Sequence, residues 1–230
     1  MATKHNFSGS QLSEANTDEK DVQIQHQILI ESLTFFNRAM PSVALGHVVA
    51  GSVIVVALHD VVPALNLYAW LGALICVSFV RLGATMLAAR RLMDAPVKKV
   101  QNWSNILTAC NLAQTCIWGA SVLLIWPGDI AHRAVLVTAL AGIIAAGGTM
   151  LVLHRHSFAI YCLPIAIPAV IQLALSGTRL EIILAVLLVS YSGLLIISVN
   201  RLSNVFLDGL RIRFLMQAES RTDALTALAN

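Results

Sequence analysis

Charged residues are scarce in this chain, and acidic residues are missing from its long apolar runs. Only 12% of the 230 residues are charged, whereas 57% are hydrophobic, a balance outside the range of soluble domains. Asp60, Asp129 and Glu181 stand at the ends of apolar runs, and the other acids lie in the tails or in the connection at 88–103. Six such runs are present, and a helix of about 20 residues crosses the ~30 Å of hydrocarbon in a bilayer. The composition therefore excludes a soluble domain.

Cysteine motifs and a cleavable leader are also lacking. The four cysteines are Cys76, Cys110, Cys116 and Cys162, and all of them fall within predicted spans. No two of them have the C-x-x-C spacing. Cysteines in such positions are mostly apolar packing residues, so no redox or thiolate-metal centre is predicted. Residues 1–38 are polar, and the first apolar run is long and has no small-residue cleavage site. We therefore expect no signal peptide.

The residue pattern predicts an all-α, polytopic integral membrane bundle. Residues 1–20 have no apolar period and are predicted to be disordered, whereas apolar residues at helical intervals predict an amphipathic helix over 21–38. A domain of six transmembrane helices follows over 39–200, with spans at 39–59, 67–88, 104–126, 134–153, 158–175 and 181–200. The lipid bilayer is thus the first expected partner, and no nucleic-acid partner is expected.

Beyond the last span, the chain is predicted to continue as a helix over 201–222. Leu207, Leu210, Phe214 and Gln217 follow one another at intervals of three, four and three residues. This spacing suits the seam of a short parallel coiled coil. The alternative is a helical linker whose apolar side rests on the membrane.

Basic residues predict the orientation of the spans. With a cytoplasmic N-terminus, nine basic residues lie near the spans on the inner side, at Arg38, Arg90, Arg91, Lys98, Lys99, Arg155, Arg201, Arg211 and Arg213. Only Arg133 and Arg179 lie on the outer side. Cytoplasmic loops of membrane proteins are enriched in Lys and Arg. We therefore expect both termini in the cytoplasm.

Polar residues within the spans are candidates for a ligand site, because polar groups in hydrocarbon are costly without a partner or a purpose. The third span is the richest in them, with Thr108, Asn111, Gln114, Thr115 and Trp118. Asn111, Thr115 and Trp118 share one helical face with Thr108, and Gln114 lies beside it. The pattern is typical either of hydrogen bonds that hold the helices together or of the wall of a ligand pocket.

Other spans contribute fewer polar or irregular features. The fourth carries small residues that let helices approach closely, namely Gly142, Ala145, Ala146, Gly147, Gly148 and Thr149. Pro164 and Pro168 are expected to kink the fifth, which makes Tyr161 and Gln172 further candidates for the lining of a pocket. Arg81 is the one strongly basic residue inside a span, and we expect it to extend toward the membrane surface.

Histidines raise the question of a cofactor. His47 lies well inside the first span, where it is either a buried residue bonded to a neighbouring helix, a ligand contact or a haem ligand. A haem held between His47 and His154 is disfavoured, because their depths differ by about 10 Å. A second set lies at the outer rim, where His59, Asp60, Asp129 and His132 together would suit a divalent metal or a pH response. Ordinary rim residues are the alternative, and no cofactor is expected in the chain otherwise.

The C-terminal residues suggest an output for the bundle. Thr222-Asp223-Ala224-Leu225-Thr226-Ala227-Leu228-Ala229-Asn230 resembles the Asp-x-Leu-Thr-x-Leu-x-Asn segment that opens bacterial GGDEF domains, the catalytic domains of diguanylate cyclases. The resemblance assigns 223–230 to the first residues of a truncated GGDEF domain. It implies that the full-length protein is a diguanylate cyclase, while this chain, which stops before the nucleotide-binding signature, is not an enzyme.

The bundle itself resembles the six-helix membrane-associated sensor (MASE-like) domains that precede GGDEF cyclases and, in related arrangements, histidine kinases. The resemblance rests on Ile117-Trp118-Gly119, Trp126-Pro127-Gly128-Asp129, Ala141-Gly142 and the proline-bearing fifth span. A kinase would place a phosphoacceptor His in the helix after the bundle, and 201–230 has none. The resemblance implies a sensor in the bacterial inner membrane, which responds to a small lipophilic signal and works as a homodimer.

Two other classes of function remain open on the sequence alone. A small transporter would be expected to carry an acid or a charged pair inside a span, and the one acid within the predicted bounds, Glu181, stands at the very start of the sixth span. A haem- or metal-binding membrane sensor would use the histidines described above. The sequence favours the cyclase input domain over both, because only that interpretation accounts for the C-terminal segment.

Overall fold

Six helices form the part of the chain that the computed structural model describes, which is residues 34, 38–91, 97–150 and 157–227. Their bounds are Arg38–Leu58 for α1, Ala64–Arg91 for α2, Val97–Leu124 for α3, Ile130–Met150 for α4, Ser157–Ser176 for α5 and Arg179–Ala227 for α6. These ranges contain no strand. All six helices are long and apolar enough to cross a membrane. The prediction of an all-α, multi-pass membrane protein is confirmed at that level.

Short connections make successive helices antiparallel. The connections at 59–63, 125–129 and 177–178 meet at one end of the bundle, which we call the Glu181 end. The opposite end, where α1 begins, is called the Arg38 end. Helix α3 packs against α2 and α5, and α4, α5 and α6 pack against one another. Gly51 brings α1 close to Leu74 of α2, so all six helices join one body.

Helices α2, α3 and α4 begin three, seven and four residues before the predicted spans. Helix α3 begins at Val97 rather than at 104, because the polar residues before the third apolar run are good helix formers although they read as a loop by hydropathy. Helix α2 begins at Ala64, directly after Pro63, whose fixed φ suits the start of a helix. The predicted amphipathic helix at 21–38 lies almost wholly outside the described residues.

Helix α6 is one helix of 49 residues, from the Glu181 end to Ala227. At 1.5 Å per residue it is about 74 Å long, more than twice the ~30 Å of a hydrocarbon core. No proline interrupts it. The predicted span at 181–200 and the predicted helix at 201–222 therefore form a single element.

The outer surface of the bundle is apolar. On α1 the side chains of Val49, Val53 and Val56 are exposed at intervals of four and three residues, and the outward faces of the other helices carry Leu, Ile, Val and Phe in the same way. Monomeric soluble proteins rarely expose such continuous apolar surface. Lipid is the environment that suits it.

Close contacts hold α5 in the middle of the bundle. A Cβ atom at Gly119 of α3 would overlap the backbone oxygen of Pro164, and a Cβ at Gly147 of α4 would overlap the ring of Tyr161. Because neither glycine has a side chain, atoms of α5 contact the backbone of α3 and of α4 directly. Small residues commonly allow such close helix packing in membrane bundles. Gly177, with φ of 73°, ends α5 in the left-handed conformation that favours glycine.

Candidate functional site

A cavity of about 240 Å³ lies inside the bundle, nearer the Arg38 end. Five helices line it. The lining is apolar except for five polar side chains, and its residues are Ser42, Val43, Gly46, His47, Arg81, Asn111, Ile143, Ala146, Gly147 and Tyr161. An apolar cavity with a few convergent polar groups is the usual composition of a small-molecule site. We call it the Arg81 cavity.

His47 enters the cavity wall from α1 and is held by α3. The indole Nε1 of Trp118 donates a hydrogen bond of 2.9 Å to Nδ1 of His47. Because an indole N–H can only donate, Nδ1 of His47 must accept, which places the proton of the neutral ring on Nε2. The imidazole is thus a fixed, uncharged tautomer with one remaining donor.

Arg81 is the charged group of the cavity, and the expectation that it extends to the membrane surface is wrong. Its side chain is only 5% exposed and lines the cavity from α2. The guanidinium faces inward, where His47 and Tyr161 line the same cavity. An Arg at the centre of a transmembrane helix costs roughly 2.5–3.5 kcal/mol on insertion scales. An inward-facing Arg is therefore a functional candidate.

Asn111 is the member of the predicted polar stripe that reaches the cavity. Its side chain is 6% exposed, and its Oδ1 atom is buried without a hydrogen-bond partner. Buried side-chain oxygens nearly always have a partner, so an unpartnered one calls for an explanation. Its position in the cavity wall supplies one, because a bound molecule would provide the missing donor.

The rest of the stripe lies outside the cavity lining. Thr108 and Thr115 donate to backbone oxygens of their own helix, at 2.9 Å in both cases. Gln114 accepts a bond of 3.3 Å from the hydroxyl of Ser78 on α2, whereas its Nε2 atom is buried without a hydrogen-bond partner. Trp118 lies behind His47 and not in the lining. The structure thus brings His47 and Asn111 together and distributes the other predicted candidates between helix contacts.

Tyr161 reaches the cavity from α5, as the sequence suggested, and Gln172 does not. The hydroxyl of Tyr161 donates to the backbone oxygen of Ile143 at 3.2 Å, and its ring lies against the bare backbone at Gly147. Sequence reasoning missed Ser42 and Gly46. Their signal is small residues four apart on α1, a spacing that opens one face of the helix.

The four predicted rim residues form two separate pairs at the Glu181 end. His59 Nδ1 lies 3.1 Å from Asp60 Oδ1, and His132 Nδ1 lies 2.7 Å from Asp129 Oδ2. Among the described residues, no three His, Cys, Asp or Glu side chains come together where a metal ion could bind. His154, the other residue of the haem hypothesis, lies outside the described residues.

Asp129 has a structural task, since it caps α4. Its Oδ1 accepts a 3.1 Å bond from the backbone N–H of His132, two residues after the first residue of that helix. This backbone bond, followed by the contact with the His132 side chain, lowers the pKa of the Asp129 carboxyl from its ordinary value. Helix caps of this kind are common for Asp.

Comparison with known proteins gives no relative to guide this assignment. No protein-family model, curated protein or solved structure matches the chain. Function is therefore inferred from the residues and from their arrangement.

Proposed function

We propose that this chain is the membrane input domain of a bacterial diguanylate cyclase. In this proposal the protein lies in the inner membrane as a homodimer, with both termini in the cytoplasm. A small lipophilic signal binds in the Arg81 cavity, and its binding changes the rate at which the catalytic domain after residue 222 makes cyclic di-GMP. The chain itself supplies the sensor and the connecting helix, and no catalytic residue.

The observation that carries the proposal is the continuity of α6. This helix packs on α4 and α5, both of which line the cavity, and it runs without interruption into the segment that resembles the start of GGDEF domains. About 40 Å of it extends beyond one membrane thickness. A rigid element of this kind can carry a shift or a rotation from the bundle to a domain outside it.

Helix α4, which lines the cavity, is in direct contact with α6. A Cβ at Gly148 of α4 would lie 3.0 Å from Cγ2 of Val199, while the neighbouring Gly147 is in the cavity wall. The hydroxyl of Tyr191 also approaches the backbone oxygen of Ala141 at 3.5 Å. A displacement of α4 by a bound molecule would therefore act on α6 without an intermediary.

The energy required is modest. A ligand shifts an equilibrium only by its differential affinity for the two states, and a hundredfold shift needs about 2.7 kcal/mol. One charged hydrogen bond to Arg81 together with one bond to Asn111 is of this size, since hydrogen bonds to charged groups contribute roughly 1.5–3 kcal/mol.

The excess of basic residues at the Arg38 end supports the cytoplasmic placement of the output.

Insertions that rotate the C-terminal part of α6 test whether this helix couples the bundle to the catalytic domain. In the protein with its catalytic domain, two residues inserted after Arg213 rotate everything beyond them by about 200°, whereas seven inserted residues restore the phase to within about 20°. We expect the two-residue insertion to change cyclic di-GMP production severalfold and to abolish any response to signal. The seven-residue insertion is the matched control and should retain both. Equal output from the two variants would contradict transmission through α6.

A further inference from the structure

The polar groups of the Arg81 cavity specify what kind of head group fits. Arg81 presents a cation with several N–H donors that stays protonated in proteins. His47 adds a neutral imidazole whose proton is on Nε2, because Nδ1 accepts from Trp118. Both side chains favour an acceptor, and an anionic oxygen is the best partner for a guanidinium. The charge of the cavity therefore selects for an anion.

Asn111 adds the opposite requirement. Its Oδ1 atom is buried, and it receives no hydrogen bond in the described structure. An acceptor in this position needs a donor from the bound molecule, which a bare carboxylate does not have. A head group that satisfies both Arg81 and Asn111 must carry an anionic oxygen with a hydroxyl or N–H close beside it.

The size of the cavity limits what lies inside it. About 240 Å³ exceeds the roughly 150 Å³ of a cavity that accepts benzene. It falls below the ~300 Å³ at which pockets for drug-sized ligands begin. A head group and a few carbons fit, and the rest of a longer molecule must remain outside.

The opening faces the side of the bundle. Ser42, Gly46 and Ala146 are exposed, whereas the polar residues His47, Arg81, Asn111 and Tyr161 behind them are buried. Ser42 is four residues from the start of α1, and Ala146 is four residues from the end of α4. Each is therefore only about 6 Å from its helix end, within one leaflet. A molecule that enters between α1 and α4 would leave its tail among lipid chains.

We propose that the Arg81 cavity binds single-chain amphiphiles whose carboxylate stands next to a hydrogen-bond donor, with hydroxy fatty acids as the simplest class. Arg81 binds the carboxylate, Oδ1 of Asn111 accepts the hydroxyl proton, and the acyl chain leaves between α1 and α4. The role of such a molecule as a signal rests on the function proposed above, whereas its binding does not.

Binding is tested on the chain in phosphatidylcholine nanodiscs with radiolabelled 3-hydroxydecanoate, decanoate and 1,2-decanediol, and empty discs correct for partition. We expect saturable binding of 3-hydroxydecanoate, about tenfold tighter than that of decanoate. Asn111→Leu should bring the two acids to within about twofold of each other. Arg81→Gln should weaken both acids at least tenfold and leave the diol unchanged.

Thr115→Val is the matched control for Asn111→Leu, because Thr115 is buried on the same helix one turn away but is not in the cavity lining. It should retain the preference for the hydroxy acid. The ratio of two affinities in one protein does not depend on how much of it is folded, so a poorly folding variant still gives a decisive result. Equal affinities for the two acids in the wild type, or no saturable binding, would overturn the proposal.

Cyclic di-GMP production separates this inference from the function on which it rests. If 3-hydroxydecanoate binds as expected but leaves the output of the protein with its catalytic domain unchanged, the head-group assignment stands and the proposed signalling role fails. If output responds to the helix-phase insertions while none of the three probes binds, the sensor function stands and the head-group assignment fails.

Discussion

His47 and Trp118 join α1 to α3 in the interior of the bundle. Their hydrogen bond is 2.9 Å long, and the edge of Trp118 meets Trp70 of α2 with ring centroids 5.3 Å apart. Trp70 in turn donates to the backbone oxygen of Ile117 at 2.9 Å. Two indoles thus fix the relative positions of three helices behind the cavity, which keeps the His47 ring in place.

Removal of the Trp118 donor should weaken this junction measurably. In a double-mutant cycle of Trp118→Phe and His47→Leu, we expect a coupling free energy of about 0.6–1.5 kcal/mol, the range of interhelical hydrogen bonds in membranes. The measurement is the free energy of unfolding in lipid by steric trapping. A coupling of zero would mean that the two side chains contribute independently.

Glycine is needed at position 147 because the ring of Tyr161 leaves no room for a side chain, and not because of an unusual backbone conformation. A Cβ there would overlap the ring of Tyr161, whereas a Cβ at Gly142 on the same helix meets nothing within 4 Å. We expect Gly147→Ala to destabilise the protein by about 1–3 kcal/mol, because Tyr161 must move and lose its bond to Ile143. Gly142→Ala should be neutral or slightly stabilising, since Ala is the better helix former.

Thermal unfolding of both glycine variants in nanodiscs distinguishes these expectations. Equal melting temperatures for Gly147→Ala and Gly142→Ala would show that α5 does not approach α4 as closely as described. A selective loss in Gly147→Ala that also reduces binding in the cavity would connect packing with function, because Tyr161 belongs to both.

At the scale of elements, an ion pair ties two connections together at the Glu181 end. The Arg133 guanidinium binds the buried carboxylate of Glu181 at the start of α6. Arg133 also donates to the backbone oxygens of Pro127 and Gly128, at 2.7 Å and 3.0 Å. Thr178 caps the start of α6, since its hydroxyl oxygen accepts from the Glu181 N–H and its hydroxyl donates to the Glu181 carboxylate. The α3–α4 connection is thereby attached to the first turn of α6.

Glu181→Gln should loosen that attachment. Breaking a buried pair leaves one charge uncompensated, although Arg133 is 19% exposed and can turn partly to water. We expect the melting temperature to fall by about 5–10 °C. Asp60→Asn is the control, because the Asp60 side chain is 96% exposed beside His59 and exposed pairs contribute little. A similar melting temperature for both variants would contradict a structural role for the Arg133–Glu181 pair.

Hydropathy predicts the number of membrane-spanning helices well but their boundaries less well. Six spans follow from run length alone, because a bilayer imposes both length and apolarity. The start of α3 at Val97 does not follow, because polar residues continue a helix past the membrane surface without an apolar signal. The continuation of the last span into 201–222 does follow, since no helix-breaking residue stands at 200 or 201.

For the cavity, the sequence identified residues but not their grouping. His47 and Asn111 were found because a polar side chain inside a span is unusual. The prediction that the Arg81 side chain extends toward the membrane surface is wrong. The sequence gives the depth of a residue along its helix, but the direction in which the side chain points also depends on how the neighbouring helices pack. The inward rotation of α2 follows from buried residues at Leu74, Ser78, Arg81 and Thr85, spaced four, three and four apart.

At the scale of the whole molecule, the cavity and the proposed output lie toward the same end of the bundle. Ser42 and Ala146 mark the opening near the Arg38 end, and α6 leaves the bundle at that end. The opposite end is closed by the Arg133–Glu181 pair. A molecule bound between α1 and α4 would therefore act where α6 emerges, while the far end remains fixed as a pivot.

The most direct test of this account replaces the bound molecule with a side chain. Gly46 lines the cavity at its opening, and a Cβ there meets nothing within 4 Å. Gly83 on α2 is equally unobstructed but is not in the cavity lining. Gly46→Phe would place a permanent apolar occupant in the opening, and Gly83→Phe would place the same ring elsewhere on the bundle.

The measurement is cyclic di-GMP production by the protein with the proposed catalytic domain, purified in nanodiscs. The account predicts that Gly46→Phe fixes the output at a level severalfold above or below that of the wild type, while Gly83→Phe matches the wild type. Wild-type output from Gly46→Phe, or the same change from both variants, would contradict control of the catalytic domain by the Arg81 cavity.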